Sequence, residues 1–545
     1  MTEYGIAIDI GTSGIRMQAI DLANGETVAT AITQRHPVPG MNVIDHVNFA
    51  IKSGEDVANG LIVGCINTLL GALGIDLSGV RRMAVSGNTF QISLFQNIEI
   101  RDLAYAGENM LKELGVIPPD RNGAEVNARH LGIRGVPEDC VVLIPPAVRH
   151  EIGADAIAML EITGVIGAEE PCLVVDYGTN AEMALICGDG RIITGSAAAG
   201  PAMEGQEIEM GMLAAPGAIS DVNIEEDGGW RCDVLNGNMI DIPSDTVDPD
   251  DGRVLRSEKE AERAIGITGT GTIATLYCGI VSGKVEVPAI GTPDGRVHLQ
   301  DGVFITSKDI EEAGKAIGAM RAGFLTLLRE AGMWTGDVKT AYMSGASGLY
   351  VDARKALEVG MVVPGATNLI QFGNTSIEMA RRLVTGRMTI AGLRELAKSL
   401  RAQHCMFATS ETFKNIYSIE YSVWCSSMPM SMYDEMLDIY GLPHLTKSNG
   451  EVRVRRVSLT DLPDTEKVPV RVVESNTWLT GLVEGCVGCQ KCVDQCPERA
   501  LHITKTDRGM VCRVSSDRCG GTACRRCERA CPRRVLHLDS MRIEA

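Results

Sequence analysis

No stretch of this 545-residue chain reaches the roughly 18 consecutive apolar residues that a membrane-spanning helix needs. The nearest approach, Leu61 to Ile75, is too short, contains Asn67, and reads as a buried helix. A surplus of positive charge is also missing: 51 basic side chains stand against 70 acidic ones, a net −19. Nucleic-acid binders concentrate the opposite sign to meet phosphates, so neither a nucleic acid nor a membrane is an expected partner. The first residues, Met1-Thr2-Glu3-Tyr4, carry neither a basic region nor a long apolar one. No secretory signal is expected, and the expected location is cytoplasmic. The Walker A pattern G-x4-G-K-[ST] is absent, which argues against a P-loop nucleotide fold. The nine histidines form no HExxH or paired metal pattern, and His150, beside Glu151, reads as a surface or hinge residue.

Cysteine is plentiful. There are 17, and without an export signal they point to reduced thiols, metal or redox chemistry and not to a disulfide framework. Eight are scattered singly over the first 485 residues and nine crowd into the last sixty. Charge breaks at the same place: residues 486–545 carry 12 basic and 7 acidic side chains, a local +5 that leaves −24 for the rest. This marks a domain boundary. The mixed polar stretch 446–485, with turn signals at Ser448-Asn449-Gly450 and Leu462-Pro463-Asp464, reads as a linker with one hairpin.

Beyond the boundary, Cys486-x2-Cys489-x2-Cys492-x3-Cys496-Pro497 is followed by Cys519-x4-Cys524-x2-Cys527-x3-Cys531-Pro532. The double run resembles two-cluster bacterial ferredoxins, in which the fourth cysteine of each run ligates the other cluster. The resemblance implies one [4Fe-4S] cluster on Cys486, Cys489, Cys492 and Cys531, and a second on Cys519, Cys524, Cys527 and Cys496. The second run has four residues, Gly520 to Ala523, where two are usual, and these are expected to loop outward. Cys512 fits neither run and reads as a buried thiol. A zinc ribbon is the bland alternative, though eight cysteines in this double pattern make an odd zinc design.

The first 445 residues hold an internal repeat. An apolar strand ends in Asp9-Ile-Gly11-Thr12-Ser13-Gly14, then continues as strand, Asn24-Gly25 turn and strand. Cys172 to Val175 leads likewise into Asp176-Tyr-Gly178-Thr179-Asn180, a strand, Asp189-Gly190 and another strand. Glycine lets a backbone approach phosphate and threonine adds a hydroxyl donor. The aspartate cannot face bare phosphate, so Asp9 and Asp176 should meet Mg2+ or a water. The paired Asp-x-Gly-Thr loops resemble the superfamily of acetate and sugar kinases, heat-shock chaperones and actin, whose members hold ATP in a cleft between two similar lobes. That resemblance implies an α/β actin-like two-lobe ATPase joined to an α+β two-cluster ferredoxin domain. Its lobes are expected at residues 1–170 and 171–445, with the ferredoxin domain at 486–545. It further assigns the turn Gly345-Ala346-Ser347-Gly348 to adenosine. Gly266 to Gly271, with Gly269 and Gly271, reads as a Gly-rich helix entry near phosphate or ribose. Gly195 to Pro201 reads either as a tight connection or as a nucleotide contact. Cys172 and Cys187 read as core. The aromatic stripe Phe413, Tyr417, Tyr421 and Trp424, with the methionines after it, reads as helix packing, with partner docking as its rival.

Eight segments carry a closer resemblance: Ile98–Gly107, Arg149–Asp155, Asp176–Met183, Gly195–Pro201, Gly266–Gly271, Tyr342–Gly348, Gln371–Ser376 and Gly521–Cys527. They look like the ATP-dependent reductive activases of methylamine methyltransferase corrinoid proteins of methanogens, including the four-residue spacer. The similarity thins in the linker and around Asn223 to Arg263. It implies an iron–sulfur ATPase that takes an electron from a low-potential donor and returns a corrinoid carrier protein from Co(II) to Co(I). The corrinoid itself belongs to the partner, since the carriers' Asp-x-His-x-x-Gly motif is absent. Two rivals stand beside this reading: a reductive activator of another target, and a kinase-like protein with a non-redox ferredoxin tail.

Overall fold

The computed structural model describes all residues except 1, 41, 106–107, 149–151, 179, 201, 203–204, 206, 401–403, 448–449, 458–466, 476 and 545. Thr179, His150, Ser448-Asn449 and Leu462-Pro463-Asp464 therefore lie outside the described residues. The chain forms two compact units. The first comprises residues 1–158, 376–398 and 461–545, the second residues 159–375 and 399–460. Among the described residues no helix is long and apolar enough to cross a membrane.

In the first unit, β1 (Tyr4–Ile10), β2 (Ile15–Asp21) and β3 (Thr27–Thr33) form an antiparallel meander. β4 (Val80–Gly87) pairs parallel with β1, and β6 (Val141–Ile144) parallel with β4, while β5 (Ala124–Asn127) closes the edge. The second unit repeats the plan. β7 (Cys172–Tyr177), β8 (Asn180–Ile186) and β9 (Ile192–Ala198) form the meander, and the strands Thr340–Ser344 and Asn368–Phe372 follow in parallel beyond β7. In both sheets the first meander strand sits centrally and its loop emerges where the parallel strands end, the usual place for a ligand loop in an α/β sheet. A five-strand sheet, β10 (Ala218–Ile224) to β14 (Gly266–Ile267), is inserted after β9 and covers the stretch where the resemblance thins.

The compact units do not follow the chain in simple order. The first stretch of the first unit ends at residue 158, and residues 376–398 return to that unit. There Val384 packs on Gly5, and the Arg394 guanidinium donates to the carbonyls of Asn122 (2.7 Å) and Gly123 (3.0 Å). Among the described residues the stretch 446–485 forms no hairpin. It supplies three separate strands: Arg453–Val457 pairs parallel beside Asn368–Phe372, Val470–Val473 pairs parallel beside β3, and Trp478–Leu482 enters the C-terminal sheet. The first two find their hydrogen-bond partners at remote sheet edges and the third between two strands further along the chain, none of which a local turn signal reveals.

The cysteine-rich segment is not a separate body. Its sheet, with Trp478–Leu482 between Gly509–Ser515 and Arg542–Ile543, shares one hydrophobic core with the first unit. The helices α1 (Val43–Ser53) and α2 (Glu55–Ala72) lie in that core. The α2 run is the one read as a buried helix.

In the second unit the helix Ser307–Ala331 packs on the helix Glu411–Ser426. Gly314 and Gly318 leave room there for Trp424 and Glu420, whose atoms would stand 2.6 and 2.7 Å from an added Cβ. Trp424 is buried and Phe413 and Tyr417 pack partly buried against the same core, so these three aromatics are helix packing, while Tyr421, Met430 and Met432 are exposed. Glu420, fully buried, pairs with Arg321 at 3.2 Å, and accepts from Trp424 Nε1 (3.1 Å) and from the Tyr433 hydroxyl.

Candidate nucleotide loops and cysteine cavities

The apolar run of β1 ends at Asp9, whose carboxylate is buried and stands 3.9 Å from Arg16 across the β1–β2 pair. Beyond it the backbone closes tightly, the Gly11 amide donating to the Gly14 carbonyl over 3.0 Å. Thr33 Oγ1 accepts from the Ile15 amide at 2.8 Å. A Cβ on Gly14 would come within 2.9 Å of that oxygen, so only glycine lets the loop seat there. Asn88, which follows β4, donates to the Thr12 hydroxyl over 3.2 Å. Its Oδ1 caps the helix α3 (Thr89–Gln96) by accepting from the Gln91 amide at 3.0 Å. Asn88 received no role from the sequence. The signal was there: an Asn just before an apolar helical run is an N-cap.

The second loop lies at the end of β7. Asp176 Oδ2 accepts from the Ser344 hydroxyl at 3.1 Å, and Ser344 in turn meets the Thr375 hydroxyl at 3.1 Å. Gly345 has φ +81°, and a Cβ there would fall 2.5 Å from Asp176 Oδ1. The Gly-rich turn is therefore the start of a short helix, Gly345–Tyr350, pressed against the Asp176 carboxylate; it carries Ala346 and Gly348. Gln371 pins its far end, Nε2 donating to the carbonyls of Gly348 (2.8 Å), Leu349 (3.1 Å) and Val351 (2.8 Å). The Tyr177 hydroxyl donates to the Met361 carbonyl at 3.0 Å, and burial pushes its pKa up.

The structure thus gathers Asp176, Gly178, Asn180, Gly345 and Gly348 with Ser344, Thr375 and Gln371, three residues to which the sequence assigned no role. Gly269 and Gly271 lie at a helix entry, as read from the sequence. They open the helix Gly269–Val281, capped by Thr268, and a Cβ on Gly271 would stand 2.3 Å from the Ile219 carbonyl of β10. Gly195 makes way for the Phe407 ring, 2.4 Å from where its Cβ would be. Gly195 and Gly271 are close-packing glycines.

The eight run cysteines line two cavities, and the runs cross. Cys486, Cys489 and Cys492 line one cavity together with Cys531. Cys519, Cys524 and Cys527 line the other with Cys496. Amides already point at sulfur: Gly488 N–H lies 3.5 Å from Cys486 Sγ, and Ala500 N–H lies 3.3 Å from Cys496 Sγ. As free thiols, Cys527 and Cys519 are pushed up to about 12 and about 11 by burial. A bound metal reverses this by deprotonating them outright. Burial also raises Cys531, but the amides of Val535, Arg533, Leu536 and Arg534 outweigh it and hold this thiol below its ordinary value. Cys512 is fully buried in the strand Gly509–Ser515 and lines neither cavity.

The spacer Gly520–Ala523 does not loop outward. Gly521 adopts φ +58°, and a Cβ there would sit 2.9 Å from the Pro39 carbonyl, while the Gly40 amide donates to the Cys519 carbonyl at 3.0 Å. The two extra residues bring this backbone into contact with the loop after β3.

A duplicated sheet with an Asp-Gly loop at each first strand, together with paired four-cysteine cavities, defines an actin-like (ASKHA) protein with a ferredoxin-type C-terminal segment. The family description "C-terminal domain of RACo the ASKHA domain" matches residues 170–434, and "RACo middle region" matches residues 4–166. The "[Co(II) methylated amine-specific corrinoid protein] reductase" of Methanosarcina barkeri is 47% identical over 522 residues, 95% of this chain and 96% of that protein. The "Corrinoid activation enzyme RamQ" of Eubacterium limosum is 24% identical over 66% of this chain and 60% of that protein. Among solved structures, a "Reductive activator for corrinoid,iron-sulfur protein" superimposes with a TM-score of 0.63 at 24% identity, over 77% of this chain and 66% of that one, and so shares the fold. The chain belongs to the family of corrinoid-protein reductive activators.

Proposed function

We propose that this protein is an ATP-dependent reductive activator of the corrinoid carriers of methylamine methyltransferase systems. One electron from a low-potential donor returns inactive Co(II) in the partner to Co(I). The observation that carries the reading is the crossed pair of four-cysteine cavities on the same chain as the duplicated Asp-Gly loops. The 47% identity to a named corrinoid-protein reductase supports it. When bound, two [4Fe-4S] clusters relay single electrons and Mg-ATP supplies the bias, each tenfold of which is worth about 59 mV.

The chain's own residues divide the work. Cys486, Cys489, Cys492 and Cys531 hold one cluster, and Cys519, Cys524, Cys527 and Cys496 the other. In the second unit Asp176, oriented by Ser344, takes Mg2+ or its water. Gly178, Asn180 and, by sequence pattern, Thr179 approach phosphate, and Gly345, Ala346 and Gly348 hold adenosine. In the first unit Asp9, Gly11, Thr12 and Ser13 offer the matching loop, with Thr12 fixed by Asn88.

The test is anaerobic. Iron-loaded protein is mixed with a Co(II) methylamine corrinoid protein, a low-potential reductant and Mg-ATP, and the visible spectrum is followed. Co(I) should appear with ATP, and fail without it or in Asp176→Ala. ATP hydrolysis without Co(I), by protein carrying about eight iron atoms, would assign the chain another acceptor.

A further inference from the structure

A buried path joins the first Asp-Gly loop to the second cysteine cavity, entirely within the first unit. It begins at Thr12, whose hydroxyl accepts from Asn88 at 3.2 Å, and Asn88 caps the Gln91 amide at 3.0 Å. Gln91 Nε2 lies 2.8 Å from His46 Nδ1. The His46 ring stacks on His36 with centroids 4.2 Å apart, and His36 Nδ1 accepts from the Val38 amide at 3.2 Å. Gly40 packs on the same imidazole: a Cβ there would be 2.8 Å from His46 Cδ2, so no larger residue fits. The Gly40 amide then donates to the Cys519 carbonyl at 3.0 Å, and the Pro39 carbonyl abuts Gly521.

Three features separate this path from ordinary packing. Both rings are buried, which favours their neutral form, and His36 Nδ1 accepts from a backbone amide and so keeps its proton on Nε2. His36 Nε2, His46 Nε2 and Gln91 Oε1 lie buried without a hydrogen bond of ordinary length and angle, the Gln91 side chain being the polar neighbour of His36 and the Gly40 backbone that of His46. The path also ends on the backbone of a residue that lines the second cavity and begins on the hydroxyl of the loop assigned to phosphate. Asn88 is the cap of α3, so any shift it makes with Thr12 is delivered to Gln91 one helical turn on.

We infer that Asn88, Gln91 and His46 transmit the state of the first nucleotide loop to the cluster held by Cys519, which makes His46 a positioning residue for that cluster. The inference rests on the assignments under the proposed function. A link of this kind lets nucleotide occupancy alter the backbone amides and carbonyls around the sulfurs, which tune cluster potential.

The experiment is redox titration of the iron-loaded full chain by electron paramagnetic resonance, with and without Mg2+ and a non-hydrolysable ATP analogue, alongside nucleotide affinity and iron content. In the unsubstituted protein nucleotide should shift one cluster by about 59 mV, a tenfold change in its one-electron equilibrium. Gln91→Leu, close to isosteric, should keep about eight iron atoms and nucleotide affinity within about threefold, yet lose the shift. His46→Ala should do the same, and His46→Asn, whose amide oxygen can replace Nδ1 as acceptor, should restore it in part. A shift that persists in Gln91→Leu overturns the inference. So does its absence from unsubstituted protein that binds nucleotide and holds both clusters, an outcome that leaves the proposed function standing. Failure of the unsubstituted protein to bind nucleotide, or to hold more than about four iron atoms, overturns both.

Discussion

The amide of Gly40 donates to the carbonyl of Cys519 over 3.0 Å, linking the loop after the first meander to the first cysteine of the second run. Beside it Gly521, at φ +58°, lies against Pro39. Gly521→Ala brings both left-handed strain and a clash with backbone that cannot move aside. A loss of about 1–3 kcal/mol is expected. The measurement is iron content after gentle chelation: the second cluster should be lost ahead of the first.

Crossed ligation makes a prediction that sequence proximity would reverse. Cys531→Ser should remove the cluster shared with Cys486, Cys489 and Cys492, and spare the one beside Cys524 and Cys527. Iron should fall from about eight to about four atoms per chain. Cys496→Ser should leave the opposite signal, so electron paramagnetic resonance of the two variants should show complementary spectra.

Gly345→Ala places a methyl 2.5 Å from Asp176 Oδ1 and forces an alanine to φ +81°. Nucleotide Kd should rise at least tenfold, about 1.4 kcal/mol, with the visible absorption of the clusters unchanged. Equilibrium binding of a fluorescent ATP analogue reads this directly.

Arg321 and Glu420 are buried partners at 3.2 Å in the second unit. Arg321→Met leaves the Glu420 charge buried without its cation, which is expected to cost about 3–5 kcal/mol in urea denaturation. Replacing Glu420 by Gln at the same time should recover part of the loss.

Burial holds His46 down to about 3, and burial followed by the neighbouring His46 ring lowers His36 as well. A histidine kept neutral in the fold binds fewer protons than in the unfolded chain. Its stabilisation is therefore complete above the unfolded pKa of about 6.5 and declines as pH falls from there toward about 3. For His46 the slope approaches about 1.4 kcal/mol per pH unit across that interval, and His36 adds in the same direction. Denaturation midpoints between pH 7.5 and 5.5 should fall less steeply in His46→Asn than in the unsubstituted protein.

Much of this architecture was readable because its signals are local. Asn24-Gly25 and Asp189-Gly190 mark their hairpins, and both Asp-x-Gly-Thr loops follow apolar strands, which is how the repeated sheet came to be expected. The resemblance of the double cysteine run to two-cluster ferredoxins likewise anticipated the crossed cavities. What escaped depends on distant partners. Arg453–Val457 and Val470–Val473 are short, charged and largely exposed, and only the edges they pair with identify them as strands. The Gly520–Ala523 spacer reads as a free loop until Pro39 and Gly40 are placed against it. His36 and His46 obey no ligand spacing, so motif reasoning passed over them. His36-Pro-Val-Pro-Gly40, a rigid segment ending in glycine, was the trace they left.

The edge strand Val470–Val473 has a consequence for synthesis. Its partner, Thr30 to Thr33, leaves the ribosome some 440 residues earlier. At roughly 5–20 residues per second the first sheet waits about 20–90 s for its last strand. Throughout that wait β3 offers a bare row of amides and carbonyls to any other nascent chain. The amino-terminal half cannot mature on its own schedule, and productive expression will track how quickly the carboxyl-terminal half is translated and how well the unfinished edge is chaperoned until it arrives.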